Sequence, residues 1–193
     1  MTRGGPSGAR THPSVTDRAA PPATIRELDA DEYRAAIPPL AALIVDAVDS
    51  GAGVNFLAGV TVEQAAGWWT DRIDLVRRGV ISVFVALDGD TIVGSTLLLR
   101  STNPNSPHRA EIGKVLVLQS ARRRGIATAL MEAAEARARA DGRWMLMLDT
   151  VTGSAADTFY RVTGWNELGI MPNHALTPDG TPTATTFFWK DLR

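Results

Sequence analysis

Residues 115–131 read VLVLQSARRRGIATALM, an apolar strand, a turn with three consecutive arginines and the first turns of a helix. The N-terminal end of a helix carries partial positive charge and N–H groups without acceptors, so cations are disfavoured there. Arg122, Arg123 and Arg124 therefore indicate an anion at this turn, where successive N–H groups converge. A solvated basic turn is the alternative. The turn has neither the G-x-G-x-x-G of dinucleotide sites nor the G-x-x-x-x-G-K-[ST] of P-loops, so the predicted phosphates belong to another ligand.

Composition is typical of a soluble globular protein and excludes several kinds of site. The 193 residues are 45% hydrophobic and 21% charged, with a net charge of −1, which fits one domain large enough to bury a core. The sequence has no cysteine, so disulfides, thiolate catalysis and cysteine-ligated zinc are excluded. No apolar run approaches the roughly 18 residues that span a bilayer. We expect a cytoplasmic protein that contacts no membrane.

The N-terminal segment differs in composition from the rest of the chain. Residues 1–23 are rich in proline, glycine, serine, threonine and alanine and have almost no large apolar side chain. Such a segment cannot offset the entropy that ordering it would cost. We predict a disordered tail over residues 1–23 and a single domain over residues 24–193.

From residue 24 onward, the hydrophobic pattern changes between the strand and helix periods. Thr61 and Gln64 form a capping box, and the Asp-Gly-Asp turn at 88–90 is typical of a hairpin. The predicted elements are strand 24–29, helix 30–49 broken or bent at its two prolines, helix 61–78, a hairpin over 80–100, strand 109–118, helix 124–140, strand 144–150, helix 154–162, a strand ending at 170, a proline-rich loop and strand 183–190. This order predicts a mixed α/β sheet with helices on its faces.

The arginine turn contains the most specific motif of the chain. Arg122, Gly125 and Ala127, in the spacing Arg-x-x-Gly-x-Ala, resemble the acyl-CoA pyrophosphate loop of the GCN5-related N-acetyltransferase (GNAT) family. Gln119 replaces the usual proline of that loop, and Ala127 replaces its last glycine. A Gly-Trp pair at 164–165 stands where the family commonly has Gly-Phe, and the order of elements agrees along the whole patterned part of the chain.

Three segments are similar more narrowly to the tabtoxin-resistance acetyltransferases of this family. They are HRAEIGKVLVLQSARRRGIATALM at 108–131, LDTVTGSAADTFY at 148–160 and PNHALTPDGTPTATTFF at 172–188. This finer resemblance suggests a small amine or an amino-acid-like toxin as the acceptor.

The resemblance implies the GNAT fold, with a central, mostly antiparallel mixed sheet of about seven strands, a β-α-β unit that binds acyl-CoA and helices on both faces. Acetyl-CoA is the implied co-substrate. No metal is expected, because no spacing among the three histidines resembles a ligand set. The residues expected to hold acetyl-CoA are Val115, Leu116, Val117, Arg122, Arg123, Arg124, Gly125, Ile126, Ala127 and Thr128.

Transfer of an acyl group from a thioester to an amine needs a deprotonated nitrogen, a stabilised oxyanion and a proton for the departing thiolate. Alternation along the strand before the arginine turn predicts that Glu111, Val115 and Val117 share one face. The resemblance implies that main-chain groups of Val115 and Val117 hold the acyl carbonyl and the pantetheine arm. It also implies that Glu111 is the base. An edge charge paired with Arg109 or Lys114 is the alternative for Glu111.

A second carboxylate, Asp149, closes the apolar strand WMLMLD. Such a carboxylate must be paired, protonated or solvated at a cleft, and parallel sheets place ligands at the C-terminal ends of their strands. Asp149 is therefore predicted to bind the substrate ammonium or to share the role of base with Glu111. Capping of the turn at 150–154 is the alternative. No histidine, cysteine or lysine is placed plausibly to take the proton.

Tyr160 lies in the short helix after that strand, where the family commonly has the tyrosine that protonates the CoA sulfur. A tyrosine hydroxyl suits a thiolate leaving group because the ordinary pKa of tyrosine is about 10. Core packing is the alternative role, because Phe159 and Trp165 lie beside Tyr160 in the sequence.

The predicted function is transfer of an acetyl group from acetyl-CoA to a primary amine of a small molecule, such as an amino-acid-like toxin or antibiotic. A protein N-terminal or lysine acetyltransferase and a non-catalytic acyl-CoA-binding module are the alternatives. The net charge near zero disfavours nucleic-acid binding through the arginine turn and the helix segment EARARADGR at 135–143. A homodimer is a further expectation.

Overall fold

The computed structural model describes Met1 and residues 23–193, so the tail predicted over residues 1–23 lies almost wholly outside the described residues. The elements are β1 (Thr24–Glu27), α1 (Ala30–Asp49), α2 (Val62–Thr70), α3 (Ile73–Arg77), β2 (Ile81–Asp88), β3 (Thr91–Arg100), β4 (Arg109–Val117), α4 (Ile126–Ala140), β5 (Met145–Val151), α5 (Ala155–Val162), β6 (Asn166–Leu176) and β7 (Pro182–Asp191).

The strands form one seven-stranded sheet in the order β1-β2-β3-β4-β5-β7-β6. Only β4 and β5 pair in parallel, and every other neighbouring pair is antiparallel. The predicted mixed and mostly antiparallel sheet is therefore confirmed. The parallel pair is the β-α-β unit β4-α4-β5, and the arginine turn lies inside it.

Helices cover both faces of the sheet, as predicted. On one face, α4 and α5 pack against a core that includes Leu130, Leu146 and Phe188, all fully buried. On the other face, α1 and α2 pack against a second core, where Leu40 and Trp69 are fully buried. Each face of a central strand therefore meets a different set of helices. A side chain on β4 or β5 can be assigned to one face by the helices that it packs against.

Short sequence signals begin the two N-terminal helices. Asp29 caps α1 and Thr61 caps α2, and each cap accepts a hydrogen bond from the backbone N–H three residues later. Glu32 and Gln64 return the bond to the cap residues, so both helices begin with a capping box. The capping box predicted at Thr61 is confirmed.

Three elements differ from the sequence prediction. Helix α1 runs through its prolines at 38–39 without the predicted break, because burial of one side of the helix outweighs the lost backbone hydrogen bonds. The helix predicted over 61–78 is divided into α2 and α3. Strand β6 extends through Pro172 into the predicted loop, with a register shift between Met171 and Ala175. An edge strand accepts a proline because one of its sides forms no ladder.

The close contact of β3 with α4 gives a testable prediction for stability. A Cβ atom on Gly94 would lie 2.9 Å from the carbonyl oxygen of Leu116 and 3.2 Å from the side chains of Ile126 and Leu130. Gly94→Ala is therefore expected to lower the free energy of unfolding by about 1–3 kcal/mol, as measured by chemical denaturation. Gly67→Ala in α2 is the control, because none of the described residues lies within 4 Å of its Cβ position; alanine should stabilise that helix by about 0.5–1 kcal/mol. Equal stability of Gly94→Ala and the parent protein would contradict this packing.

Candidate active site

The arginine turn adopts the backbone geometry of an anion site. A 3-10 turn at Gln119–Ala121 leads from β4, and both Arg123 (φ 62°) and Gly125 (φ 77°) are in the left-handed region. Gly125 caps α4 and offers no side chain to its first turn. Within the described part of the chain, the N–H groups of residues 125–128 donate to no acceptor. The unsatisfied donors at this helix end can therefore all point at one anionic ligand.

The side chains of the turn anchor it to neighbouring elements. Arg122 donates from Nε to the carbonyl oxygen of Val117 at 3.2 Å and from Nη2 to the hydroxyl of Ser50 at 2.8 Å. Arg124 pairs with Asp88 at 2.8 Å. Part of the electrostatic cost of these cations is thus offset within the protein. The guanidinium groups still lie at the rim of the turn, where all three arginine residues are exposed.

A cavity of about 260 Å³ lies at this turn. All of the residues expected to hold acetyl-CoA line the cavity, except Val115, Leu116 and Arg124. Unsatisfied N–H donors and a cationic rim suit a pyrophosphate, so the residues present fit the group that the resemblance implies. The cavity is lined by Val117, Ala121, Arg122, Arg123, Gly125, Ile126, Ala127, Thr128 and Phe159.

A β-bulge interrupts β4 just before the turn. Leu97 of β3 pairs with Gly113 and Ser95 pairs with Leu116, so two residues of β4 stand opposite one residue of β3. Lys114 is the first of these two and has φ 50°. The bulge therefore shifts the alternation of side chains along β4 by one residue.

This shift corrects one prediction. Glu111 was expected to share a face with Val115 and Val117, but Val115 and Val117 pack on the α4 side while Leu116 is buried on the α1 side. Glu111 pairs with Leu99, which packs on the α1 side. The expectation of one shared face is wrong, because strict alternation does not pass through a bulge. Leu116 is only 4% exposed, so only its backbone can contact a ligand.

The parallel strands of the β-α-β unit separate next to this bulge. Pairing of β4 with β5 ends at Glu111 and Met147, after which β5 continues along β7. Among the residues that the structure describes, the remainder of β4 therefore has no strand partner on its β5 side. Such an opening leaves backbone groups that can pair with an extended ligand, which suits the pantetheine arm expected here.

The two predicted carboxylates lie on one face beside this opening. Met147, the partner of Glu111, and Asp149 two residues later point away from the core that holds Leu146 and Leu148. Both carboxylate residues are exposed. Partial burial raises the pKa of the Glu111 carboxyl, the negative charge of Asp149 raises it further, and Lys114 and Arg109 oppose the shift. The structure thus brings Glu111 and Asp149 within electrostatic reach of each other, as the sequence predicted.

Two cations beside the site were not predicted as functional residues: Arg72 had no predicted role, and Lys114 was expected only as an alternative partner of Glu111. The Lys114 ammonium lies 4.4 Å and the Arg72 guanidinium 3.4 Å from the centroid of the Trp68 ring. Desolvation and the nearby Arg72 charge lower the pKa of Lys114 to about 8, against the opposing effect of Asp149 and Glu111. This pKa is still above neutral, so Lys114 remains mainly an ammonium at neutral pH, and the expectation that no lysine takes the proton stays a prediction. The sequence signal for the position of Lys114 was the preceding Gly113, because a glycine inside a strand indicates a bulge.

Tyr160 approaches the site from the other face. It is 6% exposed and packs against Phe159, Trp165 and Phe188 with ring centroids 5.4–6.0 Å away. Its hydroxyl makes no hydrogen bond to any described residue. Burial raises the pKa of Tyr160, and the charge of Asp149 raises it further, so the hydroxyl stays protonated. The residue is both a core side chain and a donor without an acceptor.

The two histidines in the described part of the chain each contact a neighbouring side chain. The His108 ring stacks on Trp144 with centroids 4.4 Å apart, and His174 Nδ1 lies 3.1 Å from the Thr185 hydroxyl. Among the described residues, no group of three or more histidine, cysteine, aspartate or glutamate side chains could hold a metal ion. No helix in the same part of the chain is long and apolar enough to cross a bilayer.

The separated parallel strands, the anion-binding turn and the carboxylates beside the opening define an acyl-CoA-dependent transferase. A sequence profile of the Acetyltransferase (GNAT) family matches residues 58–165, more than half of the chain. The chain therefore belongs to this family, and it is an acetyl-CoA-dependent acyltransferase.

Solved structures share this fold. An N-acetyltransferase from Staphylococcus aureus Mu50 is 20% identical, with a TM-score of 0.72 and coverage of 89% of this chain and 99% of that one. A Ribosomal-protein-alanine N-acetyltransferase from Brucella melitensis is 26% identical, with a TM-score of 0.68 and coverage of 88% and 99%. A Salmonella typhimurium protein solved with its cofactor acetyl-CoA is 19% identical, with a TM-score of 0.71 and coverage of 89% and 94%.

Proposed function

We propose that the enzyme transfers the acetyl group of acetyl-CoA to the primary amine of a small, amino-acid-like molecule. The observation that carries this proposal is the pair of carboxylates, Glu111 and Asp149, beside the end of the β4–β5 pairing. A protonated amine needs a counter-ion when it binds and a base when it reacts. The resemblance of three segments to the tabtoxin-resistance acetyltransferases supports the amino-acid-like acceptor.

The proposed roles follow from the surroundings of each group. Glu111 takes the proton from the amine, because its raised pKa makes it a stronger base than an ordinary carboxylate. Asp149 binds the ammonium of the acceptor. Tyr160 donates its hydroxyl proton towards the departing sulfur. Main-chain groups of Val115 and Val117 hold the acyl and pantetheine parts; the Val117 carbonyl already accepts a bond from Arg122.

The cavity beside Glu111 has the size of a small-molecule site. This cavity of about 490 Å³ is lined by Glu111 and Met147 and by Leu75 of α3, and Asp149 lies outside its lining. This volume lies in the range of small-molecule sites, roughly 300–1,000 Å³.

The alternative function is that of a protein N-terminal acetyltransferase. The similarity to the Brucella melitensis enzyme, whose name specifies a ribosomal-protein alanine, favours this alternative. Two further statements stay predictions: the enzyme is a homodimer, and it works in the cytoplasm.

Thiol-release assays with acetyl-CoA test the proposal across amino acids, other small primary amines and peptides with free N-termini. We expect turnover with at least one class of small amine and much lower kcat/KM for peptides. Preference for peptides would support the protein N-terminal alternative. Binding of acetyl-CoA without turnover of any amine would support the non-catalytic alternative.

The arginine turn gives a separate prediction for acetyl-CoA. Arg122→Ala combined with Arg124→Ala should raise the KM for acetyl-CoA about tenfold and lower kcat less, because contacts to the phosphates stabilise bound substrate and transition state alike. Arg78→Ala is the control, since Arg78 is exposed at the end of α3, away from the turn. Steady-state kinetics with varied acetyl-CoA measure both constants. An unchanged KM in the double variant would contradict the phosphate assignment.

A further inference from the structure

Two cations lie against one indole ring on the acceptor side of the sheet. The Arg72 guanidinium and the Lys114 ammonium both contact the Trp68 ring, at 3.4 and 4.4 Å from its centroid. Arg72 is oriented by a 2.6 Å hydrogen bond from Nη1 to the Trp68 carbonyl. Lys114 is directed there by the bulge in β4. The arrangement is built from α2, the turn that joins α2 to α3, and β4 rather than from one mobile side chain.

Neither cation forms an ion pair in the described part of the chain. No carboxylate there lies within 4 Å of Arg72 or Lys114, although eleven ion pairs form elsewhere. Both groups are partly withdrawn from water, and burial lowers the pKa of each. A desolvated cation without an anion is unfavourable. The cluster formed by Trp68, Arg72 and Lys114 is therefore suited to receive an anion from outside the protein.

Charges of both signs meet around Lys114. Lys114 is within electrostatic reach of the Arg72 cation and of the Glu111 and Asp149 carboxylates. The face thus presents cations and carboxylates together, next to the opening between β4 and β5. A ligand with an ammonium and an anionic oxygen group can pair with both kinds of charge at once.

We propose that Arg72 and Lys114 bind a carboxylate that the acceptor carries on the same molecule as its amine, while Glu111 and Asp149 receive the amine. This inference rests on the proposed function and adds the residues that select the acceptor. Trp68 holds the two cations through its ring and carbonyl group and acts as a positioning residue. The enzyme then discriminates against amines that lack the anionic group, because such amines leave both cations unpaired.

The test compares L-amino acids with their carboxamides, which have nearly the same shape but lack the negative charge. The amine of a carboxamide is less basic, so intrinsic reactivity at neutral pH favours the carboxamide. We expect kcat/KM of the parent enzyme to favour the acid at least tenfold, as charge-assisted hydrogen bonds of ordinary strength would give. Arg72→Met and Lys114→Met should each reduce that ratio about tenfold. Arg77→Met, which removes an exposed arginine of α3, should keep the parent ratio.

The KM for acetyl-CoA reports whether the variants remain folded, because the arginine turn is separate from the cluster. If a variant fails to fold, the parent enzyme alone allows the comparison of acid with amide. The shift in its melting temperature is then measured with an N-acetyl-amino acid and with the corresponding amide. A larger shift with the acid supports the inference, and equal shifts overturn it. Equal kcat/KM for acid and amide, or a ratio unchanged in both variants, also overturns it while the proposed function stands. Failure of every amine to react would overturn the proposed function itself.

Discussion

Glu111→Gln is expected to lower kcat/KM for the amine by about 10²-fold or more at neutral pH, the usual scale for loss of a general base. Glutamine keeps the shape of the side chain but cannot take a proton. The raised pKa of Glu111 comes from burial and from the charge of Asp149, and both make the carboxylate a better base. The change should therefore act on proton transfer rather than on the KM for acetyl-CoA.

The pH dependence identifies the role. As pH rises, a growing fraction of the amine is already unprotonated, so the loss in Glu111→Gln should shrink. In the parent enzyme, kcat/KM should fall as pH decreases through the raised pKa of Glu111, because the protonated carboxyl cannot act as a base. Glu132→Gln on the exposed side of α4 is the control and should have the parent profile. A parent-like profile for Glu111→Gln would remove Glu111 from the mechanism.

Asp149→Asn separates binding of the acceptor from proton transfer. If Asp149 anchors the ammonium, its replacement should raise the KM for the amine and leave the KM for acetyl-CoA unchanged. If Asp149 is the base instead, kcat should fall and the loss should depend on pH as described for Glu111. Measuring both variants over the same pH range assigns the two carboxylates.

Tyr160→Phe is expected to lower kcat by about 10²-fold, the lower end of the range for loss of a general acid, with little change in the affinity for acetyl-CoA. Only the developing thiolate needs the hydroxyl, and burial keeps that hydroxyl protonated. The aromatic contacts with Trp165 and Phe188 remain in phenylalanine. Stopped-flow measurement of thiol release gives the rate of the chemical step.

The other tyrosine provides a matched control. Tyr33 donates its hydroxyl to the carbonyl of Trp69 at 2.6 Å in the opposite core. Tyr33→Phe should cost about 1–3 kcal/mol of stability, because it leaves a buried carbonyl unpaired, but it should not change kcat below the melting temperature. A parent-like rate of thiol release in Tyr160→Phe would assign Tyr160 to packing alone.

Most of the fold could be predicted from local sequence. The hydrophobic periods, the capping box at Thr61 and the turn signals give the order of elements and therefore a mixed sheet covered on both faces. The arginine turn was also accessible, because the cost of cations at a helix N-terminus is a local effect. The prediction of one helix over 61–78 was wrong, because local sequence does not show where packing divides this segment into α2 and α3.

The acceptor side of the site was decided by tertiary structure. The bulge at Lys114 is a mismatch between β4 and β3, and pairing between strands is not encoded in one strand alone. That one extra residue separates the face of Glu111 from that of Val115. The contact of Lys114 with Trp68 joins residues 46 positions apart in the chain, whereas Arg72 contacts the same ring from only four positions away. The sequence by itself therefore determined the sheet and the anion-binding turn, because periodicity and helix electrostatics are local; only the bulge in β4 and the contact of Lys114 with Trp68 decided which charges lie beside the opening between β4 and β5.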